Sequence, residues 1–296
     1  MFFQIIQGSN LFQKKSKNKT KKEKKMSDQI FDKIQNHPNL SEVQRFTQKY
    51  YLRRTLTSGK FNAVASAHNK NTFQKVIIKA IYNPEYCKLK EAAILKKLQH
   101  VPGVIQYMDH FLIEPTIHLL ALEYFGQMTL SGFLSTEAPV SESTAYTIFN
   151  QLFFTAHACF QQNILHRKLK PSNILINVRT LEIKITNFNS ASQFDYQEFT
   201  SQLCQDIAPP EYFIFGTYTA DGLYVWSLGL ILYELLFNCK PFLSIHEIMN
   251  KVLTLPCHKQ NLSLDVKLFL RWTLEKTERI TLHQIMHHPW LTKQWR

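Results

Sequence analysis

The hydrophobic pattern of this chain changes character at Gly126. Before it, stretches such as VIIKAIY (76–82) and IHLLALEYF (117–125) are short and rich in β-branched and aromatic residues, which is typical of strands. After it, SESTAYTIFNQLFFTAHACFQQNIL (141–165) combines Ser/Thr caps with apolar residues at helical spacing. This change predicts an α+β fold in which a small strand-rich lobe precedes a larger helical lobe, with a cleft between them.

Further elements are predicted on both sides of that change. Residues 49–70 read as a strand hairpin around a Ser-Gly turn, and residues 104–113 as another strand. Between them, KLKEAAILKKLQH (88–100) predicts a helix, because Ala92, Leu95 and Leu98 fall on one helical face. Short strands in ILIN and LEIKIT follow the long helix, and helices then continue to the end of the chain.

Composition limits the class of protein. Of the 296 residues, 45% are hydrophobic, which is enough for a large core. The five cysteines form no C-x-x-C pair, so neither a disulfide framework nor a zinc site is predicted, and a reduced cytoplasmic or nuclear protein is expected. The apolar run VWSLGLILYELLF (225–237) is too short to cross a membrane and predicts a buried core helix, with no transmembrane segment.

Residues 1–45 are predicted to form a basic, disordered tail. The run KKSKNKTKKEKK (14–25) holds eight lysines and one glutamate, so it carries more than half of the chain's net charge of +13. Such a run cannot bury apolar surface. A solvated tail, a nuclear-import signal and a phosphate-binding arm all fit it, and a translation start at Met26 would remove it.

The globular part carries an ordered series of motifs. LHRKLKPSNILIN (165–177) contains H-R-x-L-x-x-x-N, and it is followed by PPEY (209–212), VWSLGLILYEL (225–235) and LRWTLEKTERITLHQIMHHPWL (270–291). From about Phe46 to Trp290 the chain therefore resembles a eukaryotic serine/threonine protein kinase. Its C-terminal half resembles most closely the PIM and PAS-kinase branch of the CAMK group.

The resemblance implies a bilobal protein kinase fold over residues 46–294. Within it, the N-lobe is expected at 46–122, the hinge at 123–127 and the C-lobe at 128–294. In the family, a strand lysine contacts the nucleotide phosphates and pairs with a helix glutamate, and Lys79 and Glu91 match these positions. If a nucleotide binds, the resemblance implies contacts with Leu56, Gly59, Val64, Lys79, Glu91, Leu122, Glu123, Lys170 and Leu175.

Several positions that carry the family's chemistry are replaced. Lys168 stands where the family has the aspartate that accepts the substrate's proton, and a lysine with its ordinary pKa of about 10.4 is protonated. Asn187 stands where an aspartate holds Mg²⁺, for which a neutral amide is a weak ligand. The resemblance therefore implies that none of the family's catalytic residues is intact. Asn173 remains as a weak metal ligand, and its partner position, Asn187, lacks the family's aspartate.

The nucleotide site also departs from the family pattern. Thr57 and Asn62 replace two glycines of the loop that approaches the phosphates, which removes conformational freedom from that loop. Ile77 stands where the family usually has an alanine over the adenine ring. No cofactor is therefore firmly implied, and any ATP is expected to bind without Mg²⁺.

These replacements predict a pseudokinase. It would bind protein partners, such as an active kinase or its substrate, as a scaffold or allosteric regulator in signalling. Lys168 is expected to act as an internal counter-charge toward Asp206, Asp195 or a bound phosphate.

Two alternatives remain. The first is an atypical serine/threonine kinase that orients ATP with Lys79, Glu91, Lys170 and Asn173. The second is anion or nucleic-acid binding by the basic tail. That tail has neither interleaved aromatic residues nor an amphipathic face, so nucleic acid is not an expected partner.

Overall fold

A computed structural model describes residues 41–59, 62–82, 90–126, 128–137, 139–195, 198–256 and 261–293. They form two compact units. The N-lobe contains residues up to Ala92 together with Gln106–Tyr124, and the C-lobe contains Ala93–Ile105 and the residues from Phe125 onward. This division confirms the predicted bilobal α+β class. The lysine run at 14–25 lies outside the described residues, so the disorder of the tail stays a prediction.

The N-lobe is built on one antiparallel sheet of five strands in the order β1-β2-β3-β5-β4. Their side chains alternate, and the buried face joins Ala63, Ala65 and Ala67 to Val76, Ile78 and Ala80. The small alanine side chains allow close packing on this face. The strands are β1 (Tyr50–Ser58), β2 (Asn62–Asn69), β3 (Lys75–Tyr82), β4 (Tyr107–Glu114) and β5 (Ile117–Glu123).

A helix, α1 (Ser41–Lys49), precedes the sheet and packs against it. Val43 is fully buried, and Phe46 packs its ring edge-on against Phe111 of β4 at 5.3 Å between centroids. The Lys49 ammonium pairs with Asp109 at 2.5 Å. Residues 41–45, which the sequence analysis placed in the tail, therefore belong to the folded domain, because an amphipathic helix has a core face to cover.

The second helix, α2 (Lys90–Lys97), buries Ala92 and Leu95, with Leu98 buried just beyond it, as its spacing predicts. The division between the two units falls inside this helix, after Ala92. Residues 93–105 belong to the C-lobe, where the backbone N–H of Ile105 donates to the carbonyl of Ile185 at 2.9 Å. These residues interrupt the N-lobe that is predicted over 46–122, because backbone hydrogen bonds at the end of this segment lie in the other unit.

The C-lobe is mainly helical. Its longest helix, α4 (Glu142–Gln161), starts at Ser141, whose side chain accepts the N–H of Thr144. Positions 145, 148, 149, 152 and 156 are all buried, as predicted. The other helices are α3 (Leu130–Glu137), α5 (Pro210–Phe215), α6 (Ala220–Phe237), α7 (Ile245–Asn250), α8 (Leu264–Thr273), α9 (Leu282–Met286) and α10 (Pro289–Thr292).

Helix α6 is the core helix that the apolar run predicts. It is long and apolar enough to span a membrane by length and composition, but 78% of its residues are buried inside the protein. Its N-terminal half is fixed by an ion pair, in which Arg279 donates to both carboxylate oxygens of Glu211 and to the carbonyl of Gly222. This bidentate arrangement joins three distant parts of the C-lobe.

Two small antiparallel sheets frame the loop that carries the candidate site. In one, β6 (Met128–Thr129), β8 (Ile174–Ile176) and β9 (Ile183–Ile185) lie in the order β6-β8-β9. In the other, β7 (Ile164–Leu165) pairs with β10 (Ser192–Gln193). Residues 166–173 run from β7 to β8, so both ends of this loop are anchored in sheets.

Candidate functional site

The N-lobe part of the site is an ion pair between neighbouring elements. The Lys79 ammonium on β3 donates to the two carboxylate oxygens of Glu91 on α2, at 2.8 and 2.7 Å. Only 8% of Lys79 and 1% of Glu91 is exposed. At this depth a single unpaired charge would be costly, so each member of the pair compensates the other. The pair is present in the geometry that the resemblance implies, whereas contact with a nucleotide stays a prediction.

The other N-lobe residues predicted to contact a nucleotide lie on the same sheet. Leu56 on β1 is 41% exposed, Val64 on β2 is half-buried and Leu122 on β5 is buried. The N–H of Gly59, just after β1, donates to the carbonyl of Asn62, the first residue of β2, at 2.7 Å. Glu123 ends β5 and accepts the backbone N–H of Gln106 at 2.7 Å.

In the C-lobe, a buried tyrosine anchors the β7 end of the loop that runs from β7 to β8. The Tyr224 hydroxyl, on α6, donates to the carbonyl of Ile164 at 2.9 Å and accepts the N–H of His166 at 3.2 Å. Burial raises the pKa of Tyr224 well above its ordinary value of 10.0, so the hydroxyl keeps its proton and can donate. This role of Tyr224 was not predicted, because a tyrosine inside an apolar helix has the same sequence pattern as a core residue.

The ring of His166 is fixed in one neutral tautomer. Its Nδ1 lies 3.2 Å from the backbone N–H of Lys168, which can only donate, and its Nε2 lies 3.0 Å from the carbonyl of Thr186, which can only accept. The proton is therefore on Nε2. The ring also packs edge-on against Phe188 at 4.6 Å, so His166 joins the loop to residues 186–188.

Two side-chain amides meet where the resemblance places a metal. The Nδ2 of Asn173 donates to the carbonyl of Lys168 at 2.8 Å, and the Nδ2 of Asn187 donates to the Oδ1 of Asn173 at 3.0 Å. The direction follows from the carbonyl, which accepts only and so turns the Asn173 oxygen toward Asn187. Asn187 has φ +66°, a left-handed conformation that asparagine tolerates better than most residues.

This pair of amides does not fit Mg²⁺. The ion prefers hard, mostly anionic oxygens in octahedral geometry. Here the Asn173 oxygen faces an N–H donor of Asn187, and neither residue carries a charge. In the part of the chain that the structure describes, no group of three or more His, Cys, Asp or Glu side chains could hold a metal.

The lysine that meets Asp206 is Lys170 and not Lys168. The Lys170 ammonium lies 3.1 Å from one oxygen of Asp206, and Lys240, before α7, lies 3.4 Å from the other. The hydrogen bond from Lys170, followed by the charge of Lys240, lowers the pKa of Asp206. The expectation that Lys168 pairs with Asp206 was wrong, because that carboxylate already has two partners. Lys168 is half-buried and forms no ion pair within the described residues.

The remaining site residues lie on either side of this loop. Leu175 is half-buried on β8, opposite Thr129 and Lys184 in the register of the small sheet. Arg167, with φ +59°, donates to the Tyr218 hydroxyl at 3.1 Å and to the carbonyl of Gln202 at 2.9 Å. The guanidinium therefore holds residues 202 and 218 beside the loop.

Several known serine/threonine protein kinases are similar in sequence to this chain. The chain is 28% identical over 291 residues to Serine/threonine-protein kinase pim-2 of Danio rerio, a match that covers 91% of this chain and 93% of that protein. It is 28% identical over 263 residues to Serine/threonine-protein kinase prk-2 of Caenorhabditis elegans, with 84% and 60% covered. It is 29% identical over 264 residues to PAS domain-containing serine/threonine-protein kinase of Mus musculus, with 84% and 19% covered.

The matched segment is less than two thirds of the length of the second and third of these relatives. The model of the protein kinase domain matches residues 50–291, which is most of the chain and extends from the start of β1 into α10. The chain belongs to the protein kinase family.

Proposed function

We propose that this protein is a pseudokinase that acts by binding protein partners and does not transfer phosphate. The observation that carries the proposal is the hydrogen bond from Asn187 to Asn173, which uses the amide oxygen that would otherwise face a metal. Lys168 adds a cation in the same loop, where phosphoryl transfer needs a base. Losing a base and a charge-stabilising group costs roughly 10²–10⁴-fold in rate for each.

The surviving Lys79–Glu91 pair is compatible with this proposal. A buried ion pair between β3 and α2 fixes the helix to the sheet, so it has a structural use without catalysis. It also supports the second candidate function, an atypical kinase, because the same lysine is available to a nucleotide phosphate if Glu91 shares it. The two functions differ in whether phosphate is transferred.

The direct test is phosphate incorporation into a generic protein substrate by the full chain, with Mg²⁺ or Mn²⁺. We expect none above that of Lys79→Met. Incorporation by the natural chain that disappears in Lys79→Met would overturn the proposal. A variant with Lys168→Asp and Asn187→Asp shows whether these two positions account for the loss.

Nucleotide binding is tested separately by thermal shift. A ligand that binds only the folded state raises the free energy of unfolding by about 2.7 kcal/mol at 100 times its Kd. We expect any shift with ATP to be independent of Mg²⁺. A thermal shift that requires Mg²⁺ would contradict the conclusion that Asn173 and Asn187 do not fit Mg²⁺.

A further inference from the structure

The strands β1 to β3 carry cations and no carboxylate. Residues 43–84, which begin inside α1 and end just after β3, hold eight lysine and arginine residues and neither aspartate nor glutamate. Three of these cations pair with carboxylates outside this range: Arg45 with Glu42, Lys49 with Asp109, and Lys79 with Glu91. Four others are exposed and form no ion pair within the described residues: Arg53, Arg54, Lys70 and Lys75.

The carboxylates of β4 and β5 add little negative charge beside these four cations. Glu123 lies opposite Val76, near the start of β3, and its side chain accepts the backbone N–H of Gln106. Glu114 lies at the far end of the sheet, and Asp109 is already paired. Apart from paired carboxylates, the described strands therefore place one carboxylate, that of Glu123, in the half of the sheet that holds the four cations.

Phe73 projects from the turn between β2 and β3, residues 70–74. Its side chain is 82% exposed, and its φ of +57° is a left-handed conformation that a bulky residue rarely adopts. Hydrogen bonds fix this turn. The N–H of Phe73 donates to the carbonyl of Asn69 at 2.8 Å, and the Asn69 side chain accepts the N–H groups of Asn71 and Thr72. The turn thus holds an aromatic ring in water at a cost in backbone strain, which is typical of a functional position.

Two cations cover aromatic rings near this turn. The Arg53 guanidinium lies 5.4 Å from the centroid of the Tyr51 ring, and the Lys75 ammonium lies 3.9 Å from that of the Tyr124 ring. Tyr51 and Lys75 share one face of the sheet, because both lie opposite His68 of β2. The following residues define what we call the turn surface: Tyr51, Arg53, Lys70, Phe73 and Lys75.

We propose that the turn surface binds an anionic membrane. Phe73 enters the boundary between headgroups and acyl chains, while Lys70 and Lys75 on either side of it meet the anionic groups of the lipids. Covering Phe73 in this way removes its exposure to water and so offsets the strain of its backbone. The four cations supply the charge complementarity, since anionic headgroups attract clustered lysine and arginine.

The covered rings argue against nucleic acid as the occupant. Single-stranded nucleic acid binds without sequence preference when its bases stack on aromatic faces. Here, stacking on Tyr51 or Tyr124 would have to displace a cation, which leaves Phe73 as the one uncovered ring. A ring that protrudes between two lysines instead matches insertion into an interface. The inference goes beyond the proposed function, because it concerns where the chain is held, whether or not the chain transfers phosphate.

The test is sedimentation of the full chain with lipid vesicles. One set contains equal amounts of phosphatidylcholine and phosphatidylserine, and the other contains phosphatidylcholine alone. We expect binding to the first set only, and we expect it to weaken as the salt concentration rises. A chain that does not bind phosphatidylserine vesicles would overturn the proposal.

Matched variants locate the binding. Phe73→Asn is expected to weaken vesicle binding about 10-fold, because it removes the inserted ring. Asparagine tolerates a positive φ, so the melting temperature of this variant should not fall. Phe215→Asn removes a phenylalanine that is 73% exposed on the C-lobe and should leave vesicle binding unchanged. Equal losses of vesicle binding in the two variants would overturn the assignment.

Charge and insertion are measured separately. Lys70→Gln with Lys75→Gln should weaken binding about 5-fold for each lysine. Lys96→Gln with Lys97→Gln removes the same charge from the exposed end of α2 and should have a smaller effect. Phe73→Trp should still bind, and the fluorescence of the added tryptophan should shift to shorter wavelength on vesicles. An unchanged emission spectrum would overturn insertion at this turn.

Two other outcomes of the same experiment would overturn the proposal. Vesicle binding that is equally strong in the natural chain, in Phe73→Asn and in the Lys70/Lys75 variant would assign membrane binding to the lysine run at 14–25. Binding of a single-stranded RNA oligonucleotide that is lost in Phe73→Asn would assign the turn surface to nucleic acid. The kinase assay is independent of both, so failure of the membrane proposal leaves the proposed function intact.

Discussion

The Nδ2 of Asn187 lies 3.0 Å from the Oδ1 of Asn173 and donates a hydrogen bond to it. Because Asn173 in turn donates to the carbonyl of Lys168, the loop and residue 187 are joined by a chain of amides. Both of these hydrogen bonds join groups of the protein itself. This arrangement connects the retained fold to the proposed loss of phosphoryl transfer.

Asn187→Asp tests this relationship. It replaces the donor with a carboxylate facing the Asn173 oxygen, so we expect the chain without metal to lose about 1–3 kcal/mol of stability. Mg²⁺ should restore part of the loss, because the new carboxylate is a metal ligand. The measurement is the melting temperature with EDTA and with Mg²⁺. Asn189→Asp, at an exposed neighbouring position, is the control and should respond to neither. A natural chain stabilised by Mg²⁺ would contradict this prediction.

Tyr224→Phe tests whether the Tyr224 hydroxyl stabilises the loop that runs from β7 to β8. The change leaves the carbonyl of Ile164 and the N–H of His166 without the hydroxyl that serves both. We expect a loss of about 1–3 kcal/mol in the free energy of unfolding by urea, since both groups are buried. Tyr51→Phe, at a tyrosine that is 54% exposed, should change stability by much less. Equal effects of the two changes would show that the buried hydroxyl does not hold the loop.

The Lys79–Glu91 pair predicts strong non-additivity. Lys79→Met leaves Glu91, only 1% exposed, without its ammonium, which we expect to cost about 3–5 kcal/mol. The double variant Lys79→Met/Glu91→Leu should be less destabilised than the sum of the single changes, because no buried charge then remains. Glu42→Gln, which breaks a partly exposed pair with Arg45, should cost less than about 1 kcal/mol. If the two single losses in the free energy of unfolding add up to the loss in the double variant, Lys79 and Glu91 are not coupled.

A histidine pair predicts acid sensitivity in the N-lobe. His110 Nε2 and His118 Nδ1 lie 2.9 Å apart on neighbouring strands. Burial, followed by the charge of Arg45, lowers the pKa of His110; burial, followed by the charge of His110, lowers the pKa of His118. Between the lowered folded value and the unfolded value of 6.5, the unfolded chain binds more protons. The free energy of unfolding should therefore fall as the pH drops below 6.5.

The measurement is urea unfolding at about pH 7.5 and about pH 5.5. Burial also lowers the pKa of His157 and of His288 in the C-lobe, so the natural chain loses stability from both lobes. His118→Leu should lose less than the natural chain over this interval. His246→Leu, at an exposed site, should lose as much as the natural chain. A His118→Leu variant with unchanged acid sensitivity would remove the pair from the explanation.

The order and type of the main elements were determined by local patterns in the sequence. Enrichment in β-branched and aromatic residues predicted the strands of the N-lobe, and apolar spacing predicted helices within 88–100 and 141–165, because both reflect which side of an element meets the core. The apolar run 225–237 predicted a buried helix, which the structure has at Ala220–Phe237. The motifs also correctly predicted that Lys79 pairs with Glu91, since the family's fold sets the positions of both residues on the strand and the helix.

Other relationships were decided only by the tertiary structure. Which lysine meets Asp206, and that Tyr224 supports the loop, depends on residues 36 to 60 positions apart in the chain. The hydrophobic period of a single segment does not predict such contacts, because they form between elements that only the tertiary structure brings together. The same reason applies to residues 41–45: the apolar face of their helix packs against β4, where Phe111 contacts Phe46 and Asp109 pairs with Lys49.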